Sequence, residues 1–204
     1  MRNLLIVIAA FAVPLAHAED LAPDVLVKTI SEEVIGIIKQ DKEIQAGNPK
    51  KIAALIETKV LPHFDFTRMT RLAMGRNWRL ASSEQQSELT VQFKTLLVRT
   101  YSTALTAYRD QVIDYKPLRA RPEDMEVTVR CEVKQPGGQP VSLEYEMEKT
   151  SNSWKIYDVK IDGVSLVTTY RETFAAEVRE RGVDGLIKSL AAKNSQSETR
   201  SGSG

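Results

Sequence analysis

The first half of the chain carries apolar residues at steps of three and four positions, which is the period of one face of an α-helix. The pattern predicts a series of helices between residues 23 and 108. Their boundaries are marked by Gly47, Pro62 and Gly75, because glycine and proline commonly end helices. Pro23 suits the first turn of the first helix, where a missing N–H is tolerated.

The longest predicted helix has both a start signal and a continuous apolar face. Ser82 is followed three positions later by Gln85, which is the spacing of a capping box. The large side chains on the face that we expect to be buried are Leu89, Phe93, Leu96, Leu97, Tyr101, Leu105 and Tyr108. This helix therefore offers one apolar surface to the rest of the fold.

The period of the pattern changes to two after this helical half of the chain. Apolar residues alternate with charged ones over residues 125–134 and 141–148, and the turn sequence QPGGQ at 135–139 lies between them. Such alternation predicts a β-hairpin with one apolar face and one solvated face. Residues 112–115 and 154–161 have the composition of further strands, so we expect a sheet of about four strands.

The segments after the sheet complete the predicted organisation. We expect closing helices near 166–181 and 183–193, and a disordered polar tail over 194–204. Helices, then a meandering antiparallel sheet, then helices predict an α+β fold. In this fold the helices pack over one face of a twisted, mostly antiparallel sheet, so the apolar rows of the sheet face the longest helix.

Residues 1–18 have the features of a secretory signal peptide, which leaves 19–193 as the predicted folded domain. Arg2 is followed by the apolar run Leu4–Val13 and then by small residues on either side of His17. This run is too short to span a bilayer, and no later stretch is as apolar. We therefore expect an exported protein that is soluble after cleavage.

Charge and cysteine content argue against several classes of function. The chain has 28 basic and 27 acidic residues without a long basic run, which argues against a nucleic-acid partner. Cys131 is the only cysteine, so no disulfide forms within the chain. The sequence has neither a phosphate-binding glycine loop nor the histidines of a usual zinc site. We therefore expect no metal and no cofactor.

Few residues suit catalysis. Asp114 and Asp158 lie in predicted strands, where a buried carboxylate could serve as the base of a small α+β isomerase or cyclase. His63 and Asp65 could form a general-base pair, whereas Ser165 lacks the surrounding elbow of a serine nucleophile. An enzyme that uses Asp114 or Asp158 as its base is the alternative to a binding protein.

The segment DGVSLVTTYR, residues 162–171, joins the last long predicted strand to the first closing helix. Val164, Leu166 and Val167 lie there among hydroxyl side chains, at a junction where chains are usually polar and exposed. These three residues either fill a core or line a pocket for something other than protein. The pattern by itself favours a core.

Six stretches of the chain share the order and character of one known family. They are LPHFDFTRM, MGRNWR, EQQSEL, FKTLLVRTY, WKIYDVKIDGVSLVTTYRETF and RGVDGLIKSL. Behind a signal peptide, and over about residues 25–190, they resemble the toluene-tolerance family of phospholipid-binding proteins. The combination of Trp78 after Gly75, Tyr101 late in the longest helix and the GVS turn at 163–165 is specific.

The resemblance implies a function and a location. Members of this family hold the acyl chains of a glycerophospholipid between helices and sheet, and leave the head group largely outside. The resemblance implies a periplasmic shuttle that maintains outer-membrane lipid asymmetry. As partners it implies an inner-membrane ABC-transporter complex with an MCE-type ring and an outer-membrane lipoprotein–porin complex. We expect a monomer without enzymatic activity.

Together with this resemblance, the facing apolar surfaces of the sheet and the longest helix predict an acyl-chain pocket. If the two surfaces touched directly, the same residues would form an ordinary core. The exposed arginines Arg71, Arg76, Arg79 and Arg171 are candidate neighbours of the lipid phosphate. The predicted pocket lining is Phe93, Leu97, Tyr101, Leu105, Val127, Val129, Leu143, Tyr145, Met147, Val164, Leu166, Val167 and Tyr170.

Overall fold

One antiparallel sheet forms the centre of the protein. A computed structural model describes residues 21–102, 110–135, 137–151 and 153–201. Within these ranges the strands lie side by side in sequence order, and each pairs antiparallel with the next. The strands are β1 (Val112–Tyr115), β2 (Glu126–Lys134), β3 (Val141–Lys149), β4 (Trp154–Ile161) and β5 (Val164–Ser165). The α+β fold predicted from the sequence is confirmed, with the short β5 added to the predicted strands.

Helices before and after the sheet supply the rest of the fold. They are α1 (Pro23–Gln40), α2 (Lys42–Gln45), α3 (Pro49–Leu55), α4 (Phe66–Met74), α5 (Ser83–Tyr101) and α6 (Arg171–Ser201). The predicted first helix is interrupted at Asp41, whose carboxylate accepts hydrogen bonds from the first backbone N–H groups of α2. The capping box of α5 is confirmed. No helix within the described ranges is both long enough and apolar enough to cross a bilayer.

The C-terminal helix continues beyond the point where the sequence predicts a disordered tail. It runs as one element from Arg171 to Ser201 with a break at Gly182, where the sequence predicts the junction of two helices. Asn194, which the sequence assigns to the tail, is buried, and its side-chain amide donates hydrogen bonds to Gln92. The predicted signal peptide, residues 1–18, lies outside the described residues.

The buried apolar residues that the structure describes form three clusters. The first half of α1 packs on the inner face of the sheet, where Leu26 and Val27 contact the cluster that contains Val127. The second half of α1 packs against α2, α3 and the π-helical turn Ile56–Val60. The remaining cluster joins α4, α5 and α6.

The outer face of the sheet is charged and solvated, as the alternating pattern predicts. Opposite charges pair across the strands, for example Arg130 with Glu144 and Lys160 with Glu146. Arg68 of α4 lies over this face and pairs with Glu126. The opposite, inner face is therefore the apolar side of the sheet.

Candidate functional site: an apolar groove on the inner face of the sheet

The register of the strands groups the inward-facing side chains into rows that cross the sheet, since residues directly opposite each other point to the same face. We number these rows from the end covered by α1. The first is Val127–Met147–Ile156, the second Val129–Tyr145–Val159, the third Tyr115–Cys131–Leu143–Ile161–Val164, and the fourth Ile113–Val133–Val141. All members except the tyrosines and Cys131 are aliphatic or methionine.

Burial decreases from the first row to the fourth. Every residue of the first row is buried, and its central Met147 has no exposed surface. Every residue of the fourth row is only half-buried, and Val164 at the edge of the third row is 60% exposed. The helices thus cover one end of the inner face and leave an apolar groove at the other.

A cavity of about 180 Å³ lies beside the second row, between the sheet and the C-terminal end of α5. It meets the sheet at Val159 and at Leu166, so the cavity and the groove share one apolar surface. Among the described residues that line it, Ser102 is the one without an apolar or aromatic side chain. The lining residues are Ile56, Val60, Leu61, Phe64, Phe66, Met69, Leu97, Val98, Tyr101, Ser102, Val159 and Leu166.

A buried carboxylate fixes the corner that carries Leu166. Asp158, which is 6% exposed, accepts hydrogen bonds from the Ser165 hydroxyl and from the backbone N–H groups of Val159 and Val167. The Ser165 oxygen in turn accepts a hydrogen bond from the backbone N–H of Thr168 at 2.9 Å. Burial raises the pKa of the Asp158 carboxyl, although its hydrogen bonds act in the opposite direction.

The apolar residues of the DGVSLVTTYR corner therefore have three different environments. Leu166 is half-buried and lines the cavity. Val167 has no exposed surface and packs in the core formed by α4, α5 and α6. Val164 extends into solvent at the edge of the sheet. Only Leu166 among the three lies on the cavity wall.

Of the predicted pocket residues, Leu97, Tyr101 and Leu166 line the cavity. Phe93 and Tyr170 belong instead to the core between α5 and α6, where the ring centroids of these two residues lie 5.1 Å apart with the planes nearly perpendicular. Leu105 lies outside the described residues. The residues predicted from the strands all lie on the inner face, in the first three rows: Val127, Val129, Leu143, Tyr145 and Met147.

Several cavity residues were not predicted, and most come from the chain before α5. Ile56 and Val60 belong to the π-helical turn, which the sequence pattern treats as ordinary helix. Phe64 pairs with Ile156 of β4 as an isolated parallel bridge. Phe64 itself has an extended backbone, and α4 begins two residues later at Phe66. Its contact with a strand some ninety residues later is not encoded in any local period.

The residues considered for catalysis have structural partners. Asp114 lies on the outer face and forms ion pairs with Lys116 and Lys134, which hold its pKa below the usual range. Burial lowers the pKa of His63 and raises that of Cys131 to about 11, so this thiol stays protonated near neutral pH. No group of acidic, histidine and cysteine side chains in the described part of the chain is arranged to hold a metal ion.

Comparisons with known proteins agree on one family. The family described as MlaC protein matches residues 28–192. The toluene tolerance protein ttg2D of Pseudomonas putida is 27% identical over 184 residues, covering 90% of this chain and 84% of that protein. The intermembrane phospholipid transport system binding protein MlaC of Haemophilus influenzae is 23% identical over 196 residues, covering 95% and 92% of the two chains.

A solved structure is similar over nearly its whole length. It is the phospholipid-binding protein from Ralstonia solanacearum in complex with a phospholipid, with 42% sequence identity and a TM-score of 0.79. The similarity covers 85% of this chain and 97% of the Ralstonia chain.

Proposed function

Because the chain belongs to the MlaC family, we propose that it is a periplasmic phospholipid carrier whose acyl-chain site is the groove on the inner face of the sheet. The observation that carries the proposal is the series of mainly apolar rows on the inner face, from the cavity beside the second row to the half-buried fourth row. The Ralstonia neighbour, which has a bound phospholipid, supports it at 42% identity.

The physical need for a carrier follows from the hydrophobic effect. Two acyl chains expose roughly thirty methylenes, and at about 0.8 kcal/mol each their transfer into water costs on the order of 20 kcal/mol. A free phospholipid therefore crosses an aqueous compartment too slowly to be useful. An apolar groove replaces the water around the chains, and binding and release require no nucleotide.

The size of the cavity indicates how much of the groove a lipid would use. Its volume of about 180 Å³ is below the roughly 300–1,000 Å³ that pockets for small ligands usually enclose. Two acyl chains therefore need a wider cavity than this one, and the apolar side chains beside it are the ones that a lipid would have to displace. Val164 and the fourth row mark the open end, at which a head group reaches solvent.

The proposed path of the lipid connects two membranes. The signal-peptide features of residues 1–18 support export to the periplasm. The Haemophilus relative is named as the binding protein of an intermembrane phospholipid transport system. We propose that this chain, as a monomer, exchanges lipid with an inner-membrane ABC-transporter complex that carries an MCE-type ring and with an outer-membrane lipoprotein–porin complex.

We also propose that the protein has no enzymatic activity. The carboxylate oxygens of Asp158 accept hydrogen bonds within the fold, and Asp114 lies on the face opposite the groove. Neither aspartate therefore favours the isomerase or cyclase alternative. The relatives are named for binding and transport of phospholipid.

A matched pair of charge substitutions tests the groove. Leu166→Glu places a carboxylate in the cavity wall, where burying a charge opposes acyl-chain binding, and we expect it to abolish loading from phospholipid vesicles. Leu80→Glu, which changes a 67% exposed side chain outside the groove, is expected to load normally. Equal loading of the two folded variants, as judged by circular dichroism and lipid extraction, would contradict the proposed site.

A further inference from the structure

Tyr145 occupies the centre of the groove. It is the middle residue of the second row, flanked by Val129 on β2 and Val159 on β4. Val159 also lines the cavity, whereas Leu143, two residues from Tyr145 on the same strand, belongs to the half-buried third row. Tyr145 therefore lies between the enclosed end of the groove and its open end.

The hydroxyl of Tyr145 has no hydrogen-bond partner within the described part of the chain. The side chain is half-buried, yet its surroundings are apolar enough that burial raises the pKa of the phenol. The nearest titratable groups are those of Cys131 and Tyr115, in the neighbouring row. A hydroxyl without a protein partner can donate a hydrogen bond to a ligand atom, and in apolar surroundings this bond would add to the binding free energy.

The other hydroxyls beside the groove lie close to protein groups. Tyr170 lies close enough to Tyr101 to contribute, after burial, to the raised pKa of the Tyr101 phenol. The Ser102 hydroxyl donates to the backbone carbonyl of Arg99. The Tyr115 oxygen is fully buried near Ser31 without forming a hydrogen bond to it. Of the two tyrosines in the four rows of the sheet, Tyr145 is thus the one whose hydroxyl is not fully buried, so that a ligand can reach it.

We propose that the Tyr145 hydroxyl donates a hydrogen bond to an ester carbonyl oxygen of the bound lipid, which makes the site selective for ester-linked over ether-linked chains. This inference rests on the proposed function. In a diacyl lipid the ester groups lie between the apolar chains and the head group, as Tyr145 lies between the enclosed and open ends of the groove. A carbonyl oxygen accepts hydrogen bonds through two lone pairs, whereas the ether-linked chain lacks that oxygen.

A competition experiment tests this selectivity. Delipidated protein is offered vesicles of a diacyl phosphatidylglycerol mixed in equal amounts with its dialkyl ether analogue of the same chain length, and the bound lipids are extracted and quantified by mass spectrometry. We expect the wild-type protein to take up the ester lipid in a roughly two- to tenfold excess, the range of one neutral hydrogen bond. Tyr145→Phe is expected to take up both lipids equally.

Tyr115→Phe is the matched control, because it removes a hydroxyl from the same face that a ligand cannot reach. It should keep the preference of the wild type. A wild-type ratio of one, or a preference that survives in Tyr145→Phe, would overturn the role of Tyr145 and leave the carrier function intact. If the wild type bound neither lipid, the proposed function itself would be rejected.

Discussion

At the scale of single residues, Asp158 shows how one side chain can have a different role from the one its sequence context suggests. An aspartate in an apolar strand is a candidate base, but its neighbours here are the Ser165 hydroxyl and the backbone N–H groups of Val159 and Val167. These bonds fix the corner on either side of Leu166, which faces the cavity. Asp158 therefore acts as a positioning residue for the wall of the proposed lipid site.

The raised pKa of Asp158 predicts how its contribution to stability depends on pH. In the unfolded chain this carboxyl has a pKa near 3.8. In the folded protein its pKa is higher, so the carboxyl keeps its proton to a higher pH. As the pH falls through the raised pKa towards 3.8, the folded state binds the additional proton and the free energy of unfolding rises. We therefore expect the wild type to gain stability relative to Asp158→Asn over this interval, as measured by urea unfolding at several pH values.

Asp114→Asn provides a control of opposite sign. Its ion pairs with Lys134 and Lys116 depress the folded pKa, so its stabilising contribution is lost as the pH falls below about 3.8. The wild type should then lose stability relative to Asp114→Asn.

The outcome that would contradict the prediction for Asp158 is a stability difference between the wild type and Asp158→Asn that does not change with pH. It would show that Asp158 has the same pKa in the folded and unfolded states.

At the scale of elements, Gly182 determines the path of the C-terminal helix. Its backbone has φ of 70° and ψ of −177°, a region that is essentially restricted to glycine. The helix changes direction there, and Val183, Leu186 and Leu190 beyond the break pack in the same core as Phe174 before it. The sequence predicts the break, because it places the junction of two closing helices at this position.

A pair of glycine substitutions tests the conformational role of Gly182. Gly182→Ala is expected to lower the free energy of unfolding by about 1–3 kcal/mol, because a side chain strains this backbone even though the space around it is open. Gly36→Ala lies within α1 and is equally open, so it should instead stabilise the protein by about 0.5–1 kcal/mol. Chemical denaturation measures both, and effects of the same sign would contradict this assignment.

At the scale of the whole molecule, the α+β fold follows from two periods of apolar residues in the sequence. The helical period of three to four residues comes first, and the strand period of two follows it. The inner face of the sheet is also predictable, since residues such as Val129 and Tyr145 alternate with charged neighbours. The groove cannot be predicted from the sequence, because a protein core and the wall of a lipid-binding site use the same residue types. Its existence depends on how far α1 covers the sheet, and this coverage is a long-range property that no local pattern contains.

The same limit explains which cavity residues could be predicted. Leu97 and Tyr101 lie on the apolar stripe of α5, which the helical period identifies. Phe93 lies on the same stripe but one turn earlier, where Phe174 of α6 covers it instead. A stripe thus predicts which side chains are turned inward, and the packing of distant helices decides which of them reach the cavity.

The most direct test of the carrier function is lipid extraction and mass spectrometry on protein purified from the periplasm without detergent. The apolar groove, continuous with the cavity at Val159 and Leu166, predicts about one phospholipid per chain that resists dialysis. Leu166→Glu, purified in parallel, should carry almost none. A wild-type protein that is free of lipid and also takes up none from vesicles would contradict the carrier function.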